Sequence, residues 1–343
     1  MESLLGKNLQ ELQDIALSIG LPKFTGKQIA QWIYQKRITE IAQMTNISLQ
    51  GRERLAARYC VGRTAPIAEA VSVDGTKKYL FNVSVGDKET QFIESVYIPD
   101  ADRATICVST QAGCKMGCKF CMTGTLGFHG HLTACDIINQ IFSIPDSASL
   151  TNIVYMGEGE PMDNIDAVLR SLEIMTSDYG CGWSPHRITV SSVGLLPGLK
   201  RFLDSSECHI AISLHAPYAE EREQIMPIQK RYPIVEVLDL LRQYDFSHQR
   251  RLSFEYIMFG GMNDSRRHAM ELRRLLRGLD CRVNLIRFHS TGDSAFQSCS
   301  QEQMEMFRDY LTANGITTTI RRSRGEDIMA ACGMLVNALK EKG

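Results

Sequence analysis

The sequence predicts an α/β protein, a partial, open (β/α)6 barrel at residues 100–335, behind a small helical unit at 1–65 and a β-hairpin linker at 66–99. Three observations predict it. Strand-like runs and helical patterns alternate six times, which implies parallel strands joined by right-handed crossovers. Several of the strand runs are β-branched and apolar throughout, as in a sheet covered on both faces. Six units fall short of the eight of a closed barrel, so the ring should stay open, with active residues just past the C-terminal strand ends.

In chain order, Leu9, Leu12, Ile15, Ala16 and Ile19 fall at helical spacing and Gly20 is the stop. Thr25-Gly-Lys-Gln28 reads as a capping box that opens a second helix through Ile29, Trp32 and Ile33, and a third helix follows Ser48. From 66 to 98 the pattern alternates. Lys78–Ser84 and Thr90–Ile98 read as hairpin strands joined across Val85-Gly86-Asp87. Glu94 shares a strand face with Phe92 and Val96. It is either an enclosed carboxylate with a raised pKa, able to act as a general base, or an edge-strand glutamate in water. The six barrel strands are placed at Ala104–Ser109, Asn152–Met156, Arg187–Ser192, His209–Leu214, Leu252–Met258 and Arg282–Phe288. Helices are expected near 133–143, 163–176, 196–204, 234–244, 265–277 and 301–313, and a last strand at Ile316–Arg322 flanks or closes the open edge.

Hydrophobic residues make up 44% of the 343, ample for a core. A net charge of −1 excludes no partner class, because only local clusters report on nucleic acid. With no signal peptide and no long apolar run, a soluble cytoplasmic protein off the membrane is expected. Eleven cysteines in that compartment argue against a disulfide framework and for chemistry or metal binding. Cys60, Cys135, Cys181, Cys208, Cys281 and Cys299 have no motif around them and are read as packing or surface thiols. Lys23, Lys27, Lys36, Arg37, Arg52, Arg54, Arg58 and Arg63 scatter through the N-terminal unit, either as a solvated face or as phosphate contacts to a nucleic acid.

The chemistry centres on Cys114-Lys-Met-Gly-Cys118-Lys-Phe-Cys121, with Cys107 seven residues upstream. Gly113 and Gly117 give the loop the freedom to bring its sulfurs together. Zinc normally takes four protein ligands, and ferredoxin runs also supply four cysteines. Three in one loop suggest a four-iron cluster with one iron open. Such an iron can bind the amino and carboxylate groups of S-adenosylmethionine (SAM) and reduce its sulfonium. The competing reading is a zinc knuckle completed by Cys107, His129 or His131.

A partial barrel with Cys-x3-Cys-x2-Cys after its first strand resembles the radical SAM superfamily. Tyr155-Met-Gly157-Glu-Gly159-Glu160-Pro161, ending the second strand, looks like that superfamily's glycine-rich segment, which offers backbone groups to the amino group of SAM. Arg324-Gly-Glu-Asp-Ile-Met-Ala-Ala-Cys332-Gly333, and Cys107 at its distance before the loop, narrow the likeness to the RlmN/Cfr family of RNA adenosine methyltransferases. It extends over nearly the whole chain and includes Ile93–Pro99, Ser213–Pro217 and Phe254–Met258.

The resemblance implies a [4Fe-4S] cluster on Cys114, Cys118 and Cys121. It implies SAM contacts from Gly159, Glu160, Ser191, Ser213, Leu214, His215 and His289. Cys332 would carry the methyl group, Cys107 would be its partner, and Glu94 would accept a proton. The implied reaction methylates carbon-2 of an adenosine in 23S rRNA and tRNA, through a methyl-cysteine and two SAM molecules. Each turnover would leave a Cys107–Cys332 disulfide for a thiol reductant to open. An electron donor such as flavodoxin or ferredoxin would serve the cluster, and the protein would act as a monomer. Arg250, Arg251, Arg321, Arg322, Arg324 and the N-terminal basic residues are the expected RNA contacts.

This sequence also departs from the family pattern. Glu158 stands where members often carry methionine, and Met329 where they carry an acid. Arg287 and His289 stand where many RlmN proteins have proline and asparagine. Arg287 is similar to the Cfr branch, which methylates carbon-8 and confers antibiotic resistance, whereas Arg324–Asp327 and Glu160-Pro161 favour carbon-2. Two other readings compete: a different radical SAM enzyme that gives Cys107 and Cys332 no task, and a zinc-stabilised RNA-binding protein without catalysis.

Overall fold

The structure, a computed structural model, describes residues 1–86, 90–289, 296–331 and 333–335. One sheet of ten strands organises it. These are β1 Ala68–Val71, β2 Lys77–Val83, β3 Gln91–Asp100, β4 Arg103–Cys107, β5 Asn152–Tyr155, β6 Ile188–Ser192, β7 His209–Ser213, β8 Leu252–Met258, β9 Cys281–Arg287 and β10 Thr317–Ile320. Their spatial order is their order in the chain. Strands β1 to β4 run antiparallel to their neighbours. From β4 to β10 every pairing is parallel, as crossovers through helices require.

The helices alternate with the strands as the spacing predicts. The N-terminal unit contains α1 Leu9–Ser18, α2 Thr25–Ala30 and α3 Leu49–Ala56. The crossovers are α4 Ala134–Phe142, α5 Ile165–Thr176, α6 Leu196–Ser205, α7 Ile234–Leu241, α8 Arg266–Leu275 and α9 Gln301–Ala313. Strand β10 pairs with β9 and flanks the open edge.

Three expectations need correction here. The alternating 66–99 segment does not stand apart: β1, β2 and β3 extend the barrel sheet, and β3 is bonded directly to β4. Thr25 does not cap α2. It lies inside the helix, 3% exposed, and the N-cap Phe24 offers no side-chain bond. The capping box forms one helix earlier, where Asn8 and Glu11 satisfy each other's backbone N–H groups. Finally, the barrel interior is not apolar. All seven residues of β8 are buried, yet only Leu252, Phe254, Tyr256 and Met258 join the main apolar core. Ser253 and Glu255 face a polar lumen of about 490 Å³. Period two puts alternate residues on opposite faces, so burial on both sides did not mean apolar on both sides.

Candidate functional site

The cysteine loop follows β4, at the C-terminal end of the strand. Gly113 is left-handed (φ +72°), and a Cβ there would meet the Gly127 carbonyl oxygen at 1.8 Å, so only glycine lets the loop close. Cys114, Cys118 and Cys121 line one cavity of about 140 Å³ together with Gly159, Glu160, Ser191, Ser213 and His215. Ten of the thirteen residues singled out from the sequence lie at this cavity or on the two strands beside it.

The second wall comes from the segment after β5. Gly159 is left-handed (φ +94°) and packs on Gln111 so closely that a Cβ would sit 2.5 Å from its side chain. The Gln111 Oε1 accepts from Glu160 N (2.9 Å), fixing the turn to the strand that leads into the cysteine loop. Glu160 is 3% exposed and accepts from Met162 N (3.0 Å), Ser192 Oγ (2.7 Å) and Val193 N (2.9 Å). Burial pushes its pKa up to about 7 against those three donors. His215, left-handed at φ +59°, accepts at Nδ1 from Ile257 N (3.1 Å) and packs edge-on against Phe120. Burial, with Arg222 nearby, lowers its pKa to about 3, so the ring is neutral.

Leu214 lies between two cavity residues but is itself in the apolar core, and its carbonyl accepts from Arg222 Nε (3.1 Å). Strand alternation turns it away from the cavity. His289 is also placed elsewhere. It lines the lower lumen, with Nε2 at 2.6 Å from Ser323 Oγ and Nδ1 at 3.3 Å from Glu326.

Glu94 is fully buried in β3, between β2 and β4, which removes the edge-strand reading. Its carboxylate pairs with Lys78 at 3.0 Å, both groups out of water. Glu158, 1% exposed, accepts from Glu94 N (2.8 Å) and Gly113 N (3.4 Å), tying β3 to the start of the cysteine loop. Burial and the neighbouring Glu94 push its pKa up to about 8.

Cys107 ends β4 opposite Val96 and packs in a small apolar cluster with Val96, Ala330 and Leu335. Cys332 lies outside the described residues, but both sides of it are held. Met122 N donates to Gly333 O (2.8 Å) and Thr123 Oγ1 to Leu335 O (3.3 Å). The turn between β1 and β2 grips the same segment from the other side. Ser72 Oγ and Val73 N donate to the Asp327 carboxylate (2.5 and 3.1 Å), and Gly325 N donates to Asp74 (3.1 Å). Lys78 Nζ also reaches Met329 O (3.4 Å). No disulfide is present among the described residues, and the expected Cys107–Cys332 pairing falls outside them.

The donor set suits a cluster. Burial and the other two thiols push Cys118 well above the usual thiol range; burial takes Cys114 up to about 12 and raises Cys121. Backbone N–H groups of Met116 face the Cys114 sulfur, and those of Thr123 and Gly124 face that of Cys121, as thiolates bound to metal require. Among the described residues no three His, Cys, Asp or Glu groups close around a single metal ion. The proposed zinc completers are engaged elsewhere: His129 with Leu126 O (3.1 Å), His131 with Gln111 (3.1 Å), and Cys107 beside Val96.

Sequence reasoning missed Arg222. It is fully buried beside Cys118 and donates to the carbonyls of Val193, Ser213 and Leu214 and to Gln229 (2.7–3.1 Å). One side chain thus ties the ends of β6 and β7 and sets a positive charge beside the thiols. Lys78 was missed too, although a lysine in an otherwise apolar strand position was the available signal.

Several basic residues read as RNA contacts do other work. Arg250 is 6% exposed and donates to Leu203 O (2.9 Å) and Ser206 O. Arg63 donates to the carbonyls of Arg37 and Phe142, and Arg37 to Ser147 O (3.1 Å), docking the N-terminal unit on α4. Lys23, Lys27, Lys36 and Arg58 stay exposed.

The barrel and its three-cysteine loop define a radical SAM enzyme, and residues 108–273 match the radical SAM superfamily. Residues 2–61 match the ribosomal RNA large subunit methyltransferase N-terminal domain. A Bacteroides fragilis protein described as "Probable dual-specificity RNA methyltransferase RlmN" is 57% identical over 99% of this chain and 97% of its own length. A Geobacter sulfurreducens "Dual-specificity RNA methyltransferase RlmN" is 39% identical over the full chain and 95% of its length. The crystal structure of a radical SAM methyltransferase from Sphaerobacter thermophilus superposes with a TM-score of 0.90 at 39% identity, covering 98% of this chain and 99% of that one. The chain belongs to the RlmN family of radical SAM methyltransferases. Membership implies a [4Fe-4S] cluster and SAM. Among the described residues no helix is long and apolar enough to cross a membrane.

Proposed function

We propose that this protein methylates carbon-2 of an adenosine, in 23S rRNA and in tRNA, and passes the methyl group through Cys332. The observation that carries the reading is the Met122 N to Gly333 O hydrogen bond, 2.8 Å, which seats the neighbour of Cys332 on the cysteine loop. The names of the relatives support RNA as the substrate.

Carbon-2 lies between two ring nitrogens. It is electron-poor and no nucleophile, so ordinary displacement on SAM cannot methylate it. A thiolate is a competent methyl acceptor, which gives Cys332 its task. When bound on Cys114, Cys118 and Cys121, the cluster supplies the electron that cleaves SAM. Gly159, Glu160, Ser191, Ser213 and His215 orient SAM in the cavity they line. Glu94, held ionised by Lys78, takes the proton leaving the ring. Cys107, packed against the Cys332 segment, frees the product from Cys332. A flavodoxin or ferredoxin and a thiol reductant complete the cycle.

Arg287, the ground for a carbon-8 reading, donates to Cys299 O (3.1 Å) and to Gln301, so it holds the approach to α9 and not the SAM cavity. The test is mass spectrometry of RNA nucleosides. Deleting the gene removes 2-methyladenosine, the wild-type gene restores it, and Cys332→Ala does not. Appearance of 8-methyladenosine instead overturns the choice of carbon. Anaerobically purified protein should hold about four irons per chain; colourless protein with one zinc would overturn the cluster.

A further inference from the structure

The lower mouth of the barrel, at the N-terminal ends of the strands, carries charge that the methyl-transfer reading does not use. Arg103 opens β4, His209 opens β7, Arg251 directly precedes β8, and Arg282 is the second residue of β9; all four line the lumen. Register gathers them. Ile210 pairs with Leu252, which sets His209 beside Arg251. Ser253 pairs with Arg282, which makes Arg282 a diagonal neighbour of Arg251, about 8 Å away between Cα atoms. His186 meets the His209 ring edge-on, with centroids 5.4 Å apart.

Nothing on the protein offsets this charge. Among the described residues, Arg103, Arg251 and Arg282 have no ion pair. The lumen carboxylates are committed: Asp100 to Arg324 (3.3 Å), and Glu255 to Asn284 (2.7 Å) and Arg321 (3.3 Å). Asp102 and Asp280 are near in sequence yet pair with none of the three. His209 accepts at Nδ1 from Arg251 N (2.9 Å), so the neutral ring carries its proton on Nε2. Burial and the surrounding cations lower its pKa to about 4, which keeps it a neutral donor.

We propose that this lower mouth is a phosphate-binding site, in which the guanidinium groups of Arg251 and Arg282, with Arg103, clasp a phosphate and His209 Nε2–H donates to it. Paired guanidinium forks match phosphate oxygens, and a bound dianion relieves the repulsion among the three cations. The site is separate from the cysteine cavity. The length of β8, roughly 20 Å, and the Arg321–Glu255 pair lie between them. Phosphate can arrive here as a free oligophosphate or as the backbone of a nucleic acid.

The test titrates pyrophosphate into the full chain by calorimetry, in the wild type and in the Arg251→Gln/Arg282→Gln variant. Saturable one-to-one binding is expected, weakened at least tenfold in the variant and unchanged in Arg58→Gln. Because neither exposed arginine has a partner to lose, the variant should melt no lower than the wild type without ligand. No saturable binding, or equal binding by the variant, overturns the proposal. A single-stranded RNA arm separates the sources. If the backbone occupies the site, pyrophosphate competes with RNA, and the slope of log K against log salt shrinks by about 1.4 in the variant, at 0.7 per phosphate lost. If a free oligophosphate occupies it, RNA binding keeps its slope while pyrophosphate binding is still lost. None of these readouts depends on the cluster, on Cys332 or on methylation.

Discussion

Glu158 is a buried acid where relatives of this family often carry methionine, and its surroundings make a prediction about pH. Its carboxyl keeps a proton up to about pH 8, whereas an unfolded glutamate loses one near 4.5. Between those values the folded state binds more protons than the unfolded one. The free energy of unfolding of the cluster-free protein should therefore fall as pH rises through that window, and Glu160, at about 7, adds in the same direction. Urea denaturation at pH 5, 6, 7 and 8 should show a shallower fall in Glu158→Met; an unchanged slope would mean that this carboxyl is not the titrating group. The Lys78–Glu94 pair gives a second test. Lys78→Met leaves Glu94 buried without its cation and should cost about 3–5 kcal/mol. Lys78→Met/Glu94→Gln should recover most of that loss, because no charge is then stranded. Equal losses in the two variants would show that ion pairing is not what Lys78 contributes.

At the scale of elements, the hairpin turn between β1 and β2 is a clamp on the segment that carries Cys332. Its grip is polar and specific: Ser72 and Val73 hold Asp327, while Asp74 holds Gly325. Gly325 is left-handed (φ +64°), and a Cβ on it would press on Ala330 and Thr76 at 2.9 Å, so the segment fits the turn in one way. Asp327→Ala should cut methylation at least several-fold while iron content and SAM affinity stay at wild-type levels. Loss of iron in that variant would assign Asp327 to the cluster loop instead. The hairpin itself was legible from alternation. Its partner was not, because Ser72 and Asp327 are 255 residues apart and nothing local marks them as a pair.

At the scale of the molecule, the N-terminal unit is seated by close backbone contact as well as by Arg63. Gly6 (φ +85°) lies against α4, where a Cβ would sit 2.5 Å from Cys135 N. Gly6→Ala should therefore loosen the docking, with faster limited proteolysis between residues 60 and 66, while the barrel keeps its iron and its SAM binding. Unchanged proteolysis would show that the interface adjusts. The exposed lysines of this unit remain available to a polyanion, whereas Arg37 and Arg63 are spent on the interface.

By itself the sequence determined what is local. Three cysteines that share one metal group must lie in one short loop, and strands and helices that alternate must carry a readable rhythm. For that reason Cys114, Cys118, Cys121, Gly159 and the six β/α units could be placed before any fold was known. Tertiary structure alone decided what depends on register between distant strands. It buried Glu94 against Lys78, turned His289 to the lower lumen and sent Arg250 to carbonyl groups. It also set Arg222 beside Cys118, and gathered Arg103, Arg251 and Arg282 at one mouth. A side chain's neighbours across a sheet follow from which strands pair and at what offset, and a shift of one residue would have exchanged every one of those faces.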